Sequence, residues 1–210
     1  FNLAMRASDD VEAVLANRAL LLEQLAAEPI WLQQVHGDHV MAAEQRALYD
    51  DPPRADGCIA RLPQQVCAVL TADCIPVLLC DRVGSVVAAV HAGWRGLYAG
   101  ILAQAVAQMQ VDPDQLMAWL GPAISVQHYQ VDAAFQQRFV KQCAEYAQAF
   151  VQYADGIHAD LPLLARIQLQ TLGVRAVYGG DQCTYEKEHM YYSYRRASLA
   201  GRQATLIWLV

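Results

Sequence analysis

Residues 65–94 constrain this chain more than any other stretch. "QVCAVLTADCIPVLLCD" (65–81) and "SVVAAVHAGW" (85–94) are two strand-like apolar runs separated by a short polar turn. Apolar runs rich in branched residues and bounded by turn signals read as buried strands. The first run has a polar break in its middle, Thr71 to Asp73. The second ends in His91, followed by Gly93, Trp94, Arg95 and Gly96. A core has no need of a histidine, a tryptophan and an arginine among close-set glycines; an active site could use them.

The rest of the chain alternates helix and strand signals. "SDDVEAVLANRALLLEQLA" (8–26) reads as a helix capped by Ser8 or Asp9, with acidic residues in its first turn. "IWLQQVHGDHVMAAE" (30–44) alternates like a strand interrupted by Gly37, and "DDPPRADGCIA" (50–60) reads as a loop. Helices are expected over 96–110, 132–153 and 161–173, and strands over 116–124, 174–180 and 204–210. "DQCTYEKEHMYYSYRRA" (181–197) reads as mostly loop. No internal repeat and no flexible linker is visible. The pattern indicates an α/β domain with mixed rather than purely parallel strands.

Bulk properties narrow the class. A chain of 210 residues, 55% hydrophobic and 17% charged, holds enough apolar material for a large core. A net charge of −6 without long basic runs argues against nucleic acid as a partner. No apolar run approaches the ~18–20 residues of a membrane span, so no membrane association is expected. "FNLAMRASDD" lacks the pattern of a signal peptide and does not begin with Met, which points to a processed or trimmed start. The six cysteines, at 58, 67, 74, 80, 143 and 183, form no C-x-x-C pair. Three of them lie in apolar strand-like runs, so reduced thiols in a cytoplasmic protein are expected over a disulfide framework.

Three candidate ligands fall at three strand interruptions: His36 beside Gly37, Cys74 in the polar break, and His91 beside Gly93. Two imidazoles and a thiolate suit Zn²⁺ with a fourth position left open. The 17 residues from Cys74 to His91 fit neighbouring strands rather than a zinc finger. The same residues also fit a cysteine nucleophile with a histidine base. They fit equally a buried thiol and a hydrogen-bonded strand-end histidine. "GWRGLYAG" opens a helix, whose first N–H groups, with Arg95, could receive an anion; a packing turn explains it as well. Arg195, Arg196 and Arg202 could bind phosphate or form a solvated face. Tyr191, Tyr192 and Tyr194 could stack on a planar ring or serve packing. Asp181 could be an acid–base group or a turn former. With six histidines and no H-x-H pair, a multi-copper cluster does not fit, so copper is the less favoured metal.

"WLQQVHG", "ADG", "LTADCIPVLLCD", "HAGWRG", "WLGPAI", "GGDQCTY", "YSYRR" and "GRQATLIWL" together resemble the bacterial polyphenol oxidase/laccase-domain family, over nearly the whole chain. Members of that family are also described as purine nucleoside phosphorylases with adenosine deaminase activity, and as a peptidoglycan editing factor. The resemblance implies a single domain over 1–210, lacking some thirty N-terminal residues. It implies a layered α/β/β/α fold similar to the cytotoxic necrotizing factor catalytic domain. It assigns His36, Cys74 and His91 to a Zn²⁺ site and places Asn2 near the pocket. Ser125 stands where the family pattern has Gly, and Ala197 where it has an acidic residue.

The resemblance implies a zinc-dependent enzyme of purine nucleosides, performing phosphorolysis of adenosine or inosine and deamination of adenosine. Its partners would be a nucleoside or nucleotide-linked small molecule and phosphate, in a monomer or small homo-oligomer. Phosphate would be positioned by Gly93, Arg95, Gly96 and Arg195. Alternatives are an amidase removing L-Ser from a UDP-linked cell-wall precursor, a copper polyphenol oxidase, and a non-catalytic metal- or nucleotide-binding module. A fourth protein ligand such as Cys183 or His39 would mark a structural metal; an open position beside a cleft would mark a catalytic one.

Overall fold

The computed structural model describes residues 1–5, 7 and 9–210. Its first half contains α1 (Val11–Leu22), β1 (Pro29–Ile30), β2 (Val40–Ala42), β3 (Gly57–Ala60), β4 (Val66–Thr71), β5 (Ile75–Asp81) and β6 (Val87–Ala92). Then follow α2 (Trp94–Ala99), α3 (Ile101–Met109), β7 (Leu116–Leu120), β8 (Gln130–Val131) and α4 (Ala133–Gln142). The chain ends with β9 (Phe150–Tyr153), β10 (Gly156–Ala159), α5 (Leu161–Thr171), β11 (Ala176–Gly179) and β12 (Gln203–Ile207).

The two apolar runs form the centre. β5 and β6 pair antiparallel in the middle of a six-stranded sheet ordered β11-β7-β5-β6-β3-β2. The outer pairs β11–β7 and β3–β2 are parallel, so the sheet is mixed as expected. β4, the first half of the long run, belongs instead to a three-stranded sheet, β1-β4-β12. The polar break at Thr71–Asp73 is therefore where the chain crosses between sheets. Asp73 makes the turn at φ +86°, a region in which a non-glycine residue is uncommon.

Side-chain alternation assigns the two faces of the large sheet. Ala88, Val90 and Ala92 of β6, with Ile75, Val77 and Leu79 of β5, share one cluster with Leu102 and Val106 of α3 and Leu164 of α5. Val87 and Ala89, with Leu78 and Cys80, face Cys67 and Val69 of the second sheet. A fully buried Leu such as Leu79 contributes about 2–3 kcal/mol through removal from water. Continuing the alternation, His91 points to the side of the second sheet, at the strand end where the two sheets part. A third, small sheet, β8-β10-β9, lies outside this stack.

Four expectations are corrected. Residues 30–44 form only the short strands β1 and β2; the segment between them wraps around a buried carboxylate described below. The helix expected over 96–110 is broken at Gly100, which sits at φ +94° between α2 and α3. The helix expected over 132–153 stops at Cys143 and gives way to a 3₁₀ turn, Ala144–Ala149, and then to β9. Its apolar spacing suits a helix because Phe135, Phe139, Tyr146 and Phe150 all join one aromatic cluster, reached here by a turn. α1 is capped by Asp10, whose side chain accepts from the amide of Glu12; Asp9 is not the cap, and Ser8 lies outside the described residues. All six cysteines are free. Among the described residues, no helix is long and apolar enough to cross a membrane.

Candidate metal centre and cavity

The antiparallel pairing of β5 and β6 sets Pro76 opposite His91, which brings Cys74, just before β5, to the same end of the sheet. His36 arrives from the β1–β2 connection. The Cys74 Sγ lies 3.8 Å from His36 Nε2. The His36 and His91 rings meet edge to face, centroids 4.7 Å apart. One ligand atom from each of the three residues lies within 4.8 Å of the others. His91 is buried, Cys74 half-buried and His36 exposed, so the cluster runs from the core to the surface.

The organising residue is Asp56, which the sequence reading left unnamed within a loop. Asp56 directly precedes β3 and is fully buried. Its Oδ1 accepts from the His36 amide (2.9 Å) and from His91 Nδ1 (2.8 Å), and its Oδ2 from the amides of Val35 (3.1 Å) and Gly37 (2.8 Å). One carboxylate thus shapes the turn that carries His36, at φ +61°, and fixes the ring of His91. Its backbone joins the same structure: the Asp56 carbonyl accepts from the His91 amide at 2.7 Å. Burial alone would raise the Asp56 pKa, but the bonds from His91, Gly37 and Val35 outweigh it and hold the group below the ordinary range. The only sequence signal was an Asp before a Gly at a loop–strand boundary, which reads first as a turn.

Asp73 is a second such residue. It is buried and accepts from Thr184 Oγ1 (2.6 Å), Ser193 Oγ (3.0 Å) and the Arg195 amide (2.6 Å). It ties the C-terminal loop to the residue next to Cys74.

Electrostatics in the cluster are coupled. Burial pushes the Cys74 thiol up, but the charge of His91 and hydrogen bonds from both histidines bring it down to about 6. Burial pushes His91 down, but the Cys74 sulfur and Asp56 raise it to about 9. Each of the two groups thus favours the charged form of the other.

The residues present fit a metal ion. With Nδ1 held by Asp56, His91 keeps Nε2 for a ligand bond, the arrangement typical of metal-bound histidine. Gly93 supplies room: a Cβ there would lie 3.0 Å from His36 Cδ2 and 3.1 Å from Cys74 Sγ. Among the described residues, no fourth His, Cys, Asp or Glu joins the three. Cys183 lies in a separate group with His128 and Glu186, and His39 contributes its carbonyl to the Asp56 amide.

The cluster opens into a cavity of about 650 Å³. Trp94, Arg95, Tyr129, Tyr194, Arg195 and Arg202 line it, with Arg18 and Trp31. Arg95 rests over the Trp94 ring at 4.8 Å, and Trp94 packs on Phe135. Arg195 lies over Tyr129 at 5.2 Å and donates to the His128 carbonyl at 3.0 Å.

Other candidates are spent on structure. Gly93 and Gly96 do not line the cavity; a Cβ on Gly96 would meet the Gly37 carbonyl at 2.9 Å, so both glycines make room for protein rather than ligand. α2 is only six residues long, too short for the anion-receiving helix start that was expected. Asn2 is buried but lies outside the lining, its Oδ1 accepting from the amides of Ala4 and Arg202. Arg196 donates to the carbonyls of Thr184, Tyr185 and Tyr191. Tyr191 and Tyr192 do not line the cavity, and Asp181 is exposed.

The comparisons with known proteins agree over the full length. The family model described as "Multi-copper polyphenol oxidoreductase laccase" matches residues 1–210. A Pseudomonas aeruginosa protein named purine nucleoside phosphorylase is 45% identical over 210 residues, spanning 99% of this chain and 85% of its own. An Escherichia coli protein named purine nucleoside phosphorylase YfiH is 42% identical over 214 residues, covering 100% of this chain and 86% of its own. The crystal structure of a Neisseria meningitidis protein superposes with a TM-score of 0.95 at 42% identity, covering 99% of this chain and 86% of that one. The chain belongs to the multi-copper polyphenol oxidoreductase laccase family, whose matching model spans it from end to end.

Proposed function

We propose that this chain is a zinc-dependent purine nucleoside enzyme of the phosphorylase type, with adenosine deamination as a second activity of the same site. The observation that carries the proposal is a His36–Cys74–His91 donor set without a fourth side-chain ligand among the described residues, at the wall of a cavity lined by arginines and aromatic rings. The curated relatives named purine nucleoside phosphorylase support the substrate class. Two nitrogens and a sulfur favour zinc over a hard cation, and six histidines are too few for a copper cluster with a further copper centre. His36, Cys74 and His91 would hold the ion, which supplies Lewis acidity when bound.

The chain's own groups account for binding and orientation. Trp94 and Tyr129 offer aromatic faces to a purine. Burial pushes the Tyr129 phenol up, so it stays neutral and can donate a hydrogen bond. Arg95 and Arg195 place positive charge where phosphate would bind. Asp56 holds His91 Nδ1 protonated and keeps the ring in one orientation. In phosphorolysis a phosphate oxygen bonds to the ribose C1′ as the bond from C1′ to the purine nitrogen breaks.

The test is incubation of metal-replete protein with inosine plus phosphate, and separately with adenosine. Release of hypoxanthine with ribose 1-phosphate, and of inosine from adenosine, are the expected results. Turnover no greater than that of Cys74→Ala overturns the proposal. One observation favours a second reading: about 650 Å³ and four lining arginines exceed what a neutral nucleoside needs. An amidase acting on a nucleotide-linked cell-wall precursor would use that space, and release of L-Ser from such a precursor distinguishes it.

A further inference from the structure

A second group of metal-binding side chains lies away from the first. His128, Cys183 and Glu186 each bring one ligand atom within 4.8 Å of the others. The backbone makes this meeting specific. Ala123 and Cys183 form a parallel bridge, with the Thr184 amide donating to the Ala123 carbonyl (3.0 Å) and the Ala123 amide to the Gln182 carbonyl (3.1 Å). Two segments some sixty residues apart in sequence are thereby zipped side by side. The turn after Ala123 then returns His128 over Cys183.

Each donor is held. The His128 ring stacks on Tyr185, centroids 4.4 Å apart and 20° from parallel. Its Nε2 lies 3.0 Å from Glu186 Oε1. The Cys183 Sγ already acts as an acceptor, taking the Ser125 amide at 3.4 Å. The Ser125 hydroxyl is buried and has no hydrogen-bond partner among the described residues. From thiol to carboxylate the group runs from the interior to the surface: Cys183 is 5% exposed and the Glu186 side chain 52%. That gradient gives an ion a route in.

We propose that His128, Cys183 and Glu186 form a second metal site, selective for a borderline divalent cation such as zinc. A tetrahedral ion about 2.0–2.3 Å from its ligands sets them roughly 3.3–3.7 Å apart; the His128–Glu186 pair, now 3.0 Å apart, opens slightly, and any pair near the 4.8 Å limit closes. An ion bound there would take the His128 Nε2, the Cys183 sulfur and a Glu186 oxygen as ligands, with the thiol proton released to solvent. None of the three donors lines the cavity, so the ion would position the wall rather than react. Tyr129 follows His128 directly and lines the cavity, and the His128 carbonyl accepts from Arg195, another lining residue. An ion at this site fastens the cavity wall that carries Tyr129 and Arg195 without touching substrate. The inference does not depend on which reaction the cavity performs.

Cobalt(II) is the probe, because a cobalt–thiolate bond produces an intense near-ultraviolet band. Cys74→Ser removes the only sulfur of the first group, so any such band that remains must come from another thiolate. The expected result is one tightly bound cobalt with that band in Cys74→Ser, displaced by zinc. Cys183→Ser in the same background abolishes the band. Glu186→Gln, a change at an exposed carboxylate that leaves the core intact, weakens the remaining cobalt by about tenfold or more. Absence of the band in Cys74→Ser overturns the proposal, as does a band that survives Cys183→Ser or a cobalt affinity unchanged by Glu186→Gln.

Discussion

Replacing Asp56 by Asn tests the geometry of the centre without changing its volume. The carboxylate accepts four hydrogen bonds, two on each oxygen. An amide keeps one acceptor oxygen and puts an NH₂ group where the other was. If the NH₂ takes the Oδ2 position, the amides of Val35 and Gly37 lose their partner; if it takes the Oδ1 position, the His36 amide and His91 do. Leaving a buried donor unpaired costs about 1–3 kcal/mol. Two donors, partly buried at the turn, give a loss of about 2–4 kcal/mol. Native stability is about 5–15 kcal/mol, so the variant folds but is weakened. Loss of the partner that orients a metal-bound histidine lowers metal affinity about 10–100-fold.

The assay has two arms: urea unfolding of metal-free protein, and zinc competition against a chromophoric chelator. His36→Ala is the comparison. That side chain is exposed, so its loss lowers affinity while the metal-free protein keeps its unfolding midpoint. Asp56→Asn is expected to move both quantities. An unchanged midpoint refutes the claim that Asp56 shapes the 35–37 turn, and an unchanged affinity refutes the claim that the carboxylate positions His36 and His91 for the metal.

Three further outcomes follow from the same geometry. Gly93→Ala fits its backbone, at φ −68°, but crowds His36 and Cys74; it should fold normally and bind zinc about tenfold more weakly, by competition titration. In protein stripped of metal, alkylation of Cys74 should follow a thiolate that forms above about 6; the rate falls as pH drops through that value, and bound zinc protects the sulfur. A titration midpoint near the ordinary thiol value would show that the histidines do not stabilise the thiolate. Asp81 accepts from the Ser85 amide and hydroxyl and the Val86 amide, and although burial raises its pKa these bonds bring it below the ordinary value. Its stabilisation is therefore present above about 4, the unfolded carboxylate value, and is lost as pH falls through the lower folded value. Asp81→Asn should cost about 2 kcal/mol at neutral pH, with the gap to the parent chain closing in acid, as followed by urea midpoints.

Cys74 and His91 were legible because each stands at a polar point in an apolar strand-like run, where a polar residue needs a reason; His36 was found through the glycine beside it, although its segment is a connection rather than a strand. The strand pair was legible for the same cause: β5 and β6 are long apolar runs with a short turn between them. What surrounds the donors was not. Asp56 and Asp73 do their work through bonds to residues between 19 and 122 positions away, and no local pattern distinguishes them from turn-forming aspartates. Asn2 was expected near the pocket from the family resemblance, and Gly93 and Gly96 as an anion-receiving helix start; Asn2 instead bonds the chain start to Arg202, and the two glycines serve close packing. Cys183 was a candidate fourth ligand only because spacing does not reveal distance, and the bridge to Ala123 places it in a different group. The failed helix over 132–153 has a similar origin: apolar spacing records which side chains reach the core, while Cys143 in an extended conformation redirects the chain between them.

The central claim is that His36, Cys74 and His91 together bind a metal ion beside the cavity. Anomalous diffraction from crystals of zinc-loaded protein, measured on both sides of the zinc absorption edge, addresses it directly. The account predicts an edge-dependent peak bonded to His36, Cys74 and His91, absent from crystals of Cys74→Ala. Zinc-loaded crystals that diffract well and show no edge-dependent density among those three residues would contradict it.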